Sequence, residues 1–519
     1  MSNYAPEQGR SYAEILAQLE SFAADDPNYK DARTWSLVYY KDEEYTQFLA
    51  EAYAKYFSAN GLNPTAFKSL KRFEKEILGF TAELLHVDEN ACGVVTSCGT
   101  ESCMLAVKTY RDLGRSKGIR KPEMIIPETA HVAWDKGAAY FDVKIRRAPL
   151  ADNWGVDVEA VKSMINKNTI MILGGAPEYP HGIIDPIEEL GALAKEHNIP
   201  LHVDACVGGY ILPFIEKAGY SLPVWDFRVE GVTSMSADIH KYGFAAKGAS
   251  CILYRNMDYF KHQVFVHETW PGGVFASPAF LGTRPGGAYA AAWAAIQANG
   301  IEGYTELARR TMDATNRLKE GILAMGCFEI IGNPLGSLFA YRSIDKKVNA
   351  FAVGDVMEKK GWHIDRLQHP DALHAMVTAS HDKVVDQYLA DLKDAVEAVK
   401  AHPELINEGQ AATYGMISHI PLRGVVRQQV LDMFAESYQL NAKEIDLSDS
   451  SSMTPGGQKL GKALTDRLIG LYVRVQSQRK NQQAASGKKQ VNLPVKALAQ
   501  KTVTQNPLFE KLKTLRRKH

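Results

Sequence analysis

Apolar residues recur at helical spacing from Ser11 to Phe22 and again from about Glu43 to Phe57, within an otherwise polar opening stretch. Asn60-Gly-Leu-Asn-Pro64 breaks the pattern with turn-forming residues. Helical spacing resumes from Thr65, a residue type suited to capping, to about Leu85. From Cys92 to about Tyr254 the pattern changes to short apolar runs separated by helical stretches. The runs are Gly93–Thr96, Met124–Ile126, Val143–Arg146, Thr169–Leu173, Pro200–Val203, Gly231–Ser234 and Ser250–Tyr254. Helices are expected between them, for example at Glu101–Leu113, Val158–Asn166 and Glu188–His197. Apolar runs without polar alternation are strands buried on both faces. Their alternation with helices predicts an α/β fold with a mostly parallel central sheet covered by helices.

A smaller C-terminal α/β domain is expected next. It holds a long helix at Tyr304–Leu323, strands near Phe328–Ile331 and Leu338–Tyr341, and a helix at Val384–Ala401. The chain thus divides into an N-terminal helical segment (1–64), a large α/β domain (65–300), a small α/β domain (301–440), and a linker with a basic tail (441–519) expected to be partly disordered. The linker is the polar stretch Leu447–Gly457, and one amphipathic stretch, Leu460–Val475, follows it.

Charge sharpens this division. The net charge is zero, yet residues 476–519 carry eleven Lys or Arg against one acid, so the rest of the chain is acidic. An acidic body argues against nucleic acid as a partner. The tail has the charge for weak contact with an anionic membrane. No apolar run reaches the length of a membrane span. The first residues lack a basic stretch followed by an apolar one, so no signal peptide is expected. With only six cysteines and no zinc-ribbon or His-Glu-x-x-His spacing, a cytoplasmic location and no metal site are expected. Gly456–Lys462 mimics a phosphate-binding loop, but Ala463 stands where that loop needs Ser or Thr.

Chemistry gathers at the ends of the predicted strands, where open α/β sheets bind ligands. Gly99-Thr100 follows a strand and opens a helix, a place suited to a phosphate. His131 follows a proline-containing turn, Asp204 closes the run Ile199–Val203, and Lys241 lies between two apolar strands beside His240. Singly, each has an ordinary reading: a cap, a satisfied polar residue, a salt bridge, a surface lysine. Together and in that order they match the needs of pyridoxal phosphate. A lysine forms the Schiff base, an aspartate keeps the pyridine nitrogen protonated, a histidine stacks on the ring, and a helix start takes the phosphate.

The chain resembles the sphingosine-1-phosphate lyases, within the pyridoxal-phosphate-dependent group II decarboxylase superfamily of fold type I, from about Leu37 to about Phe434. The resemblance rests on Thr96–Ser102, Tyr179–Pro186, His202–Gly209, Trp225–Arg228, Ser236–Gly243, Gly272–Pro278, Gly282–Gly287 and Tyr414–Met416. It implies Lys241 as the Schiff-base lysine, His131 as the ring-stacking residue and Asp204 at the pyridine nitrogen. It also implies Gly99, Thr100, His240 and Thr283 around the cofactor phosphate, with Thr283 donated by the partner in a homodimer. Tyr179 is implied as an active-site hydroxyl, and Tyr39, Asn60 and Lys247 as neighbours of a substrate phosphate.

The sequence departs from the family's pattern at one substrate position. Where relatives read Asn-Pro-Leu-His-Pro, this chain reads Asn60-Gly-Leu-Asn-Pro64, so Asn63 replaces a histidine. The activity implied is retro-aldol cleavage of the C2–C3 bond of a phosphorylated long-chain base to a fatty aldehyde and phosphoethanolamine. The alternative is an amino-acid decarboxylase on the same scaffold, favoured by Asn63 and disfavoured by Lys247, which most decarboxylases lack.

Overall fold

The computed structural model describes residues 4–63, 65–407, 411 and 423–440. Its centre is a seven-stranded sheet of β1 (Cys92–Thr96), β2 (Glu123–Pro127), β3 (Lys144–Ala148), β4 (Thr169–Gly175), β5 (Leu201–Asp204), β6 (Val232–Ala237) and β7 (Ser250–Tyr254). The order across the sheet is β1-β7-β6-β5-β4-β2-β3. Only β7 runs antiparallel to its neighbours. All seven runs expected from the apolar pattern are strands. β2, β4, β6 and β7 are buried along their whole length, as strands covered on both faces must be.

Helices Gly99–Ser116, Ala133–Phe141, Val158–Met164, Ile187–Glu196 and Leu212–Lys217 connect the strands. The helix expected to start at Thr65 begins instead at Lys68, with Phe67 at its cap position and no side-chain cap. Thr65 is occupied otherwise: its N–H and hydroxyl donate to Asn63 Oδ1 at 2.9 and 2.7 Å. A local side-chain turn outcompetes capping there.

A hairpin, β8 (Phe265–His267) and β9 (Phe275–Ser277), leads to the long helix Gly286–Ala324, which is kinked at Gly300. A second sheet follows, with β10 (Phe328–Ile330), β11 (Leu338–Ser343), β12 (Asp365–Leu367) and β13 (Ala372–Met376) in the antiparallel order β10-β11-β13-β12. The apolar pattern missed β12 and β13. β12 has three residues, two of them charged, and β13 is rich in alanine, so neither carries the usual strand composition. Helices Ala350–Lys359 and Val385–Ala401 cover this sheet.

The polar opening stretch contributes to that second core. Trp35 is 1% exposed. Its ring lies 4.3 Å from Tyr388 and 6.4 Å from Trp362, and a backbone bridge joins Thr34 to His363. The helix Arg423–Ser437 belongs to a separate unit. The linker and the amphipathic stretch lie outside the described residues. Among the described residues no helix is long and apolar enough to cross a membrane.

Gly182 marks where the loop after β4 meets the second sheet. Its φ is +80°, and a Cβ there would lie 1.9 Å from the Leu338 carbonyl oxygen. Both the backbone conformation and the contact require glycine. Gly182→Ala is expected to lower stability by about 2–3 kcal/mol in urea unfolding followed by circular dichroism.

Candidate active site

β4, β5 and β6 are parallel and end level with one another: Gly175 pairs with Asp204, and Asp204 with Ser236. Beyond these ends lies a cavity of ≈410 Å³. Nine of the twelve residues singled out in the sequence line it: Tyr39, Gly99, Thr100, His131, Tyr179, Asp204, His240, Lys241 and Lys247.

Asp204 is held by a set of donors. Trp134 Nε1 donates to Oδ2 at 2.9 Å, while the Cys206 N–H and the Ser236 hydroxyl donate to Oδ1 at 3.1 and 3.3 Å. Burial would raise its pKa, but the Trp134 bond, then nearby His202 and the Cys206 bonds, hold it below the ordinary carboxylate value. Asp204 is therefore an anion facing the cavity. His131 is exposed. Its Nδ1 accepts the Ala133 N–H at 3.1 Å, which leaves Nε2 to carry the proton of the neutral ring. The His131 and Tyr179 ring centroids are 6.1 Å apart at near right angles.

Lys241 follows β6. Its Nζ lies 2.9 Å from Asp238 Oδ2. Burial would lower the lysine pKa, but the Asp238 charge outweighs it and holds the ammonium above its ordinary value. Asp238 is 2% exposed, and its Oδ1 has no hydrogen-bond partner. The imidazole of His240 is fixed by a 2.6 Å bond between Nδ1 and the Ala249 carbonyl, and desolvation lowers its pKa.

Lys247 sits 5.2 Å from the Tyr39 ring centroid. No carboxylate among the described residues pairs with it. Desolvation, then the neighbouring Lys241 charge, push its pKa down. The Tyr179 hydroxyl donates to Asp365 Oδ2 at 3.2 Å, and burial followed by the Asp365 charge raises its pKa, so it keeps its proton. His374 Nε2 meets the Tyr179 carbonyl at 3.0 Å and ties that loop to β13.

The turn before the Gly99 helix is built from buried polar groups. Thr96, Ser102 and Ser250 link hydroxyl to hydroxyl at 2.7 and 2.9 Å, and Ser250 reaches the Ala237 carbonyl at 3.2 Å. Glu101 accepts from the Ser97 N–H at 2.7 Å and from the Phe280 N–H at 2.9 Å. A Cβ at Gly99 would lie 2.7 Å from Asp238 Oδ2 and 2.9 Å from Cys206 Sγ. Only glycine lets the helix start approach the Lys241 loop this closely.

Asn60, Asn63 and Thr283 do not line the cavity. Asn60 Nδ2 donates to Thr283 Oγ1 at 3.3 Å. Both Asn63 and Thr283 are exposed. The sequence reading missed Trp134, Asp238 and Glu101. Asp238 precedes Lys241 by three residues, a spacing at which turn side chains meet, and that signal was available.

The pyridoxal-dependent decarboxylase conserved domain matches residues 38–343. A sphingosine-1-phosphate lyase of Oryza sativa subsp. japonica is 44% identical over 82% of this chain and 80% of its own length. The chain belongs to the sphingosine-1-phosphate lyase family, whose cofactor is pyridoxal phosphate. Sphingosine-1-phosphate lyase 1 of Rattus norvegicus is 42% identical over 79% of this chain and 72% of its own. Among solved structures, a Burkholderia pseudomallei sphingosine-1-phosphate lyase superposes with a TM-score of 0.76 at 35% identity, covering 84% of this chain and 97% of that one. A Lactobacillus brevis glutamate decarboxylase shares the fold, with a TM-score of 0.68 at 22% identity over 77% of this chain and 95% of that one. The cavity fits the family's cofactor. It offers an ionised carboxylate to a ring nitrogen, a side-chain-free helix start to a phosphate, and a lysine in the same cavity.

Two measurements follow from this geometry. Trp134→Phe removes a bond to a charged acceptor worth roughly 1.5–3 kcal/mol. Pyridoxal phosphate affinity in a fluorescence titration is expected to fall about tenfold or more. The second concerns pH. Burial lowers the pKa of His202 and of His381 to about 4. Both contribute stability above the unfolded value near 6.5 that is lost as pH falls through about 4. Asp185, raised by burial to about 7, acts in the opposite sense, contributing stability at low pH that is lost as pH rises through about 7. With two histidines against one carboxyl, the urea midpoint is expected to fall between pH 6.5 and 4, and His381→Gln to flatten that slope.

Proposed function

We propose that this chain cleaves the C2–C3 bond of a phosphorylated long-chain base, releasing a fatty aldehyde and phosphoethanolamine. The observation that carries this reading is Lys247, a second cation on the Lys241 cavity that no described carboxylate neutralises. A substrate with its own phosphate supplies the missing anion. The family relatives, named for that substrate, support the same reading.

When bound, pyridoxal phosphate supplies an electron sink conjugated to the substrate's amino carbon. In our reading, Asp204 holds the proton on the ring nitrogen, and His131 covers one ring face. Gly99, Thr100 and His240 hold the cofactor phosphate, and Lys241 carries the cofactor between turnovers. Lys247 and Tyr39 orient the substrate phosphate. Tyr179, protonated across the ordinary pH range, offers a hydroxyl to the reacting centre.

Asn60 and Thr283 pair with each other away from this chain's cavity. We read them as serving the cavity of a second copy in a homodimer. Exposed apolar residues in the same loops, Leu62, Phe280 and Leu281, give such an interface apolar area. Asn63 would then act across the interface, with its Oδ1 already engaged by Thr65. A cytoplasmic location, and weak contact of the basic tail with anionic membranes, complete the reading. Equal binding of the full chain and of a chain lacking 476–519 to phosphatidylserine vesicles would remove the tail from it.

The deciding assay incubates the purified holoenzyme with sphingosine 1-phosphate and measures aldehyde. Release that disappears in Lys241→Ala is expected. Lys247→Met is expected to lower kcat/KM about 10- to 100-fold, the value of a charge-assisted bond. Carbon dioxide from an amino-acid panel, with no aldehyde, would turn the assignment to the decarboxylase alternative. Mixing Lys241→Ala with Thr283→Val chains is expected to restore activity if sites are shared between copies.

A further inference from the structure

Two thiols flank the Asp204 carboxylate. Cys103 projects from the Gly99–Ser116 helix, and Cys206 follows β5. One ligand atom from each of Cys103, Asp204 and Cys206 can be chosen so that all lie within 4.8 Å of one another. Cys103 Sγ is 3.6 Å from Asp204 Oδ2. Sulfur and oxygen ligands at about 2.3 and 2.1 Å from a tetrahedral zinc ion are themselves about 3.6 Å apart. A second carboxylate adjoins the cluster: the position a Cβ would take on Gly99 is 2.7 Å from Asp238 Oδ2 and 2.9 Å from Cys206 Sγ. Asp238 Oδ1 is buried without a partner. All four residues line the cavity, so an ion has a route in. Cys103 and Cys206 are far apart in sequence, which is why no metal-ligand spacing announced them.

We propose that, when pyridoxal phosphate is absent, Cys103, Asp204 and Cys206 bind a thiophilic divalent cation of the zinc class, with Asp238 available as fourth ligand. Two thiolates select such an ion over magnesium or calcium. The cation and the cofactor compete, because both would occupy the one cavity and draw on the single negative charge of Asp204. This competition rests on the cofactor reading above, whereas binding by the thiols does not. The ion would act as a competitor for cofactor loading, held on atoms that the loaded enzyme uses or covers.

The test uses Cd²⁺ as the probe and the full-length chain, once stripped of cofactor with hydroxylamine and once loaded. The stripped chain is expected to show a thiolate-to-cadmium charge-transfer band that saturates at one ion per chain. About two protons per ion should be released into weakly buffered solution, one from each thiol. Cys103→Ser and Cys206→Ser are each expected to weaken binding at least tenfold, and Cys251→Ser, a buried cysteine elsewhere, to leave it unchanged. Added pyridoxal phosphate should abolish the band. No band in the stripped chain, or a band that survives both serine variants, overturns the site. If a variant does not fold, the wild-type proton count decides: release of no protons overturns the site. Equal cadmium binding by stripped and loaded chains overturns the competition. A chain that never gains visible absorbance with pyridoxal phosphate fails the cofactor reading instead, and the cadmium titration stands on its own result.

Discussion

Two carboxylates at adjoining strand ends, Asp204 after β5 and Asp238 after β6, set the terms for everything around them. A buried anion costs several kcal/mol unless donors or a cation compensate it. The two are compensated differently. Asp204 is held by neutral donors, Trp134, the Cys206 N–H and Ser236, so its charge stays available to the cavity. Asp238 is paired through Oδ2 with the Lys241 ammonium, while its Oδ1 has no hydrogen-bond partner. The parallel register of β4, β5 and β6 brings both to one rim.

Most of the sheet was legible because β2, β4, β6 and β7 are buried on both faces, and continuous apolar runs carry that signal without help from neighbours; β3, with Lys144, Arg146 and Arg147, is only partly buried. β12 and β13 were not legible: with Asp365 and Arg366 in one and three small or polar residues in the other, they are strands only because β11 pairs with β13. Trp35 shows the same limit from the other side. Nothing in a polar stretch signals that its one tryptophan fills a core formed by residues from Ala314 onward. Gly99, Thr100, His131, Asp204 and Lys241 line the cavity as strand ends in such a sheet predict, whereas Tyr39, Tyr179 and Lys247, which line it too, were marked only by the family resemblance. Those missed act through another residue. Trp134 fixes Asp204, Glu101 ties the Ser97 turn to Phe280, and neither role has a local sequence signature.

Asn60, Thr283 and Asn63 show where one chain's geometry stops. Asn60 and Thr283 hydrogen-bond to each other, and the Arg284 N–H donates to Asn60 Oδ1 at 3.3 Å, so the two loops hold each other in place. Thr283 is exposed and Asn60 half-buried, neither lines this chain's cavity, and Leu62, Phe280 and Leu281 nearby in sequence are exposed apolar side chains.

Two lysines share one cavity with a single carboxylate positioned to pair with them, and this divides their work. Asp238 holds Lys241 protonated, and the Lys241 charge in turn lowers the pKa of Lys247. The pair therefore cannot be satisfied internally: stabilising the first cation leaves the second short of an anion. An anion entering on the Lys247 side of the cavity would relieve that shortage, the electrostatic argument behind the proposed phosphate substrate.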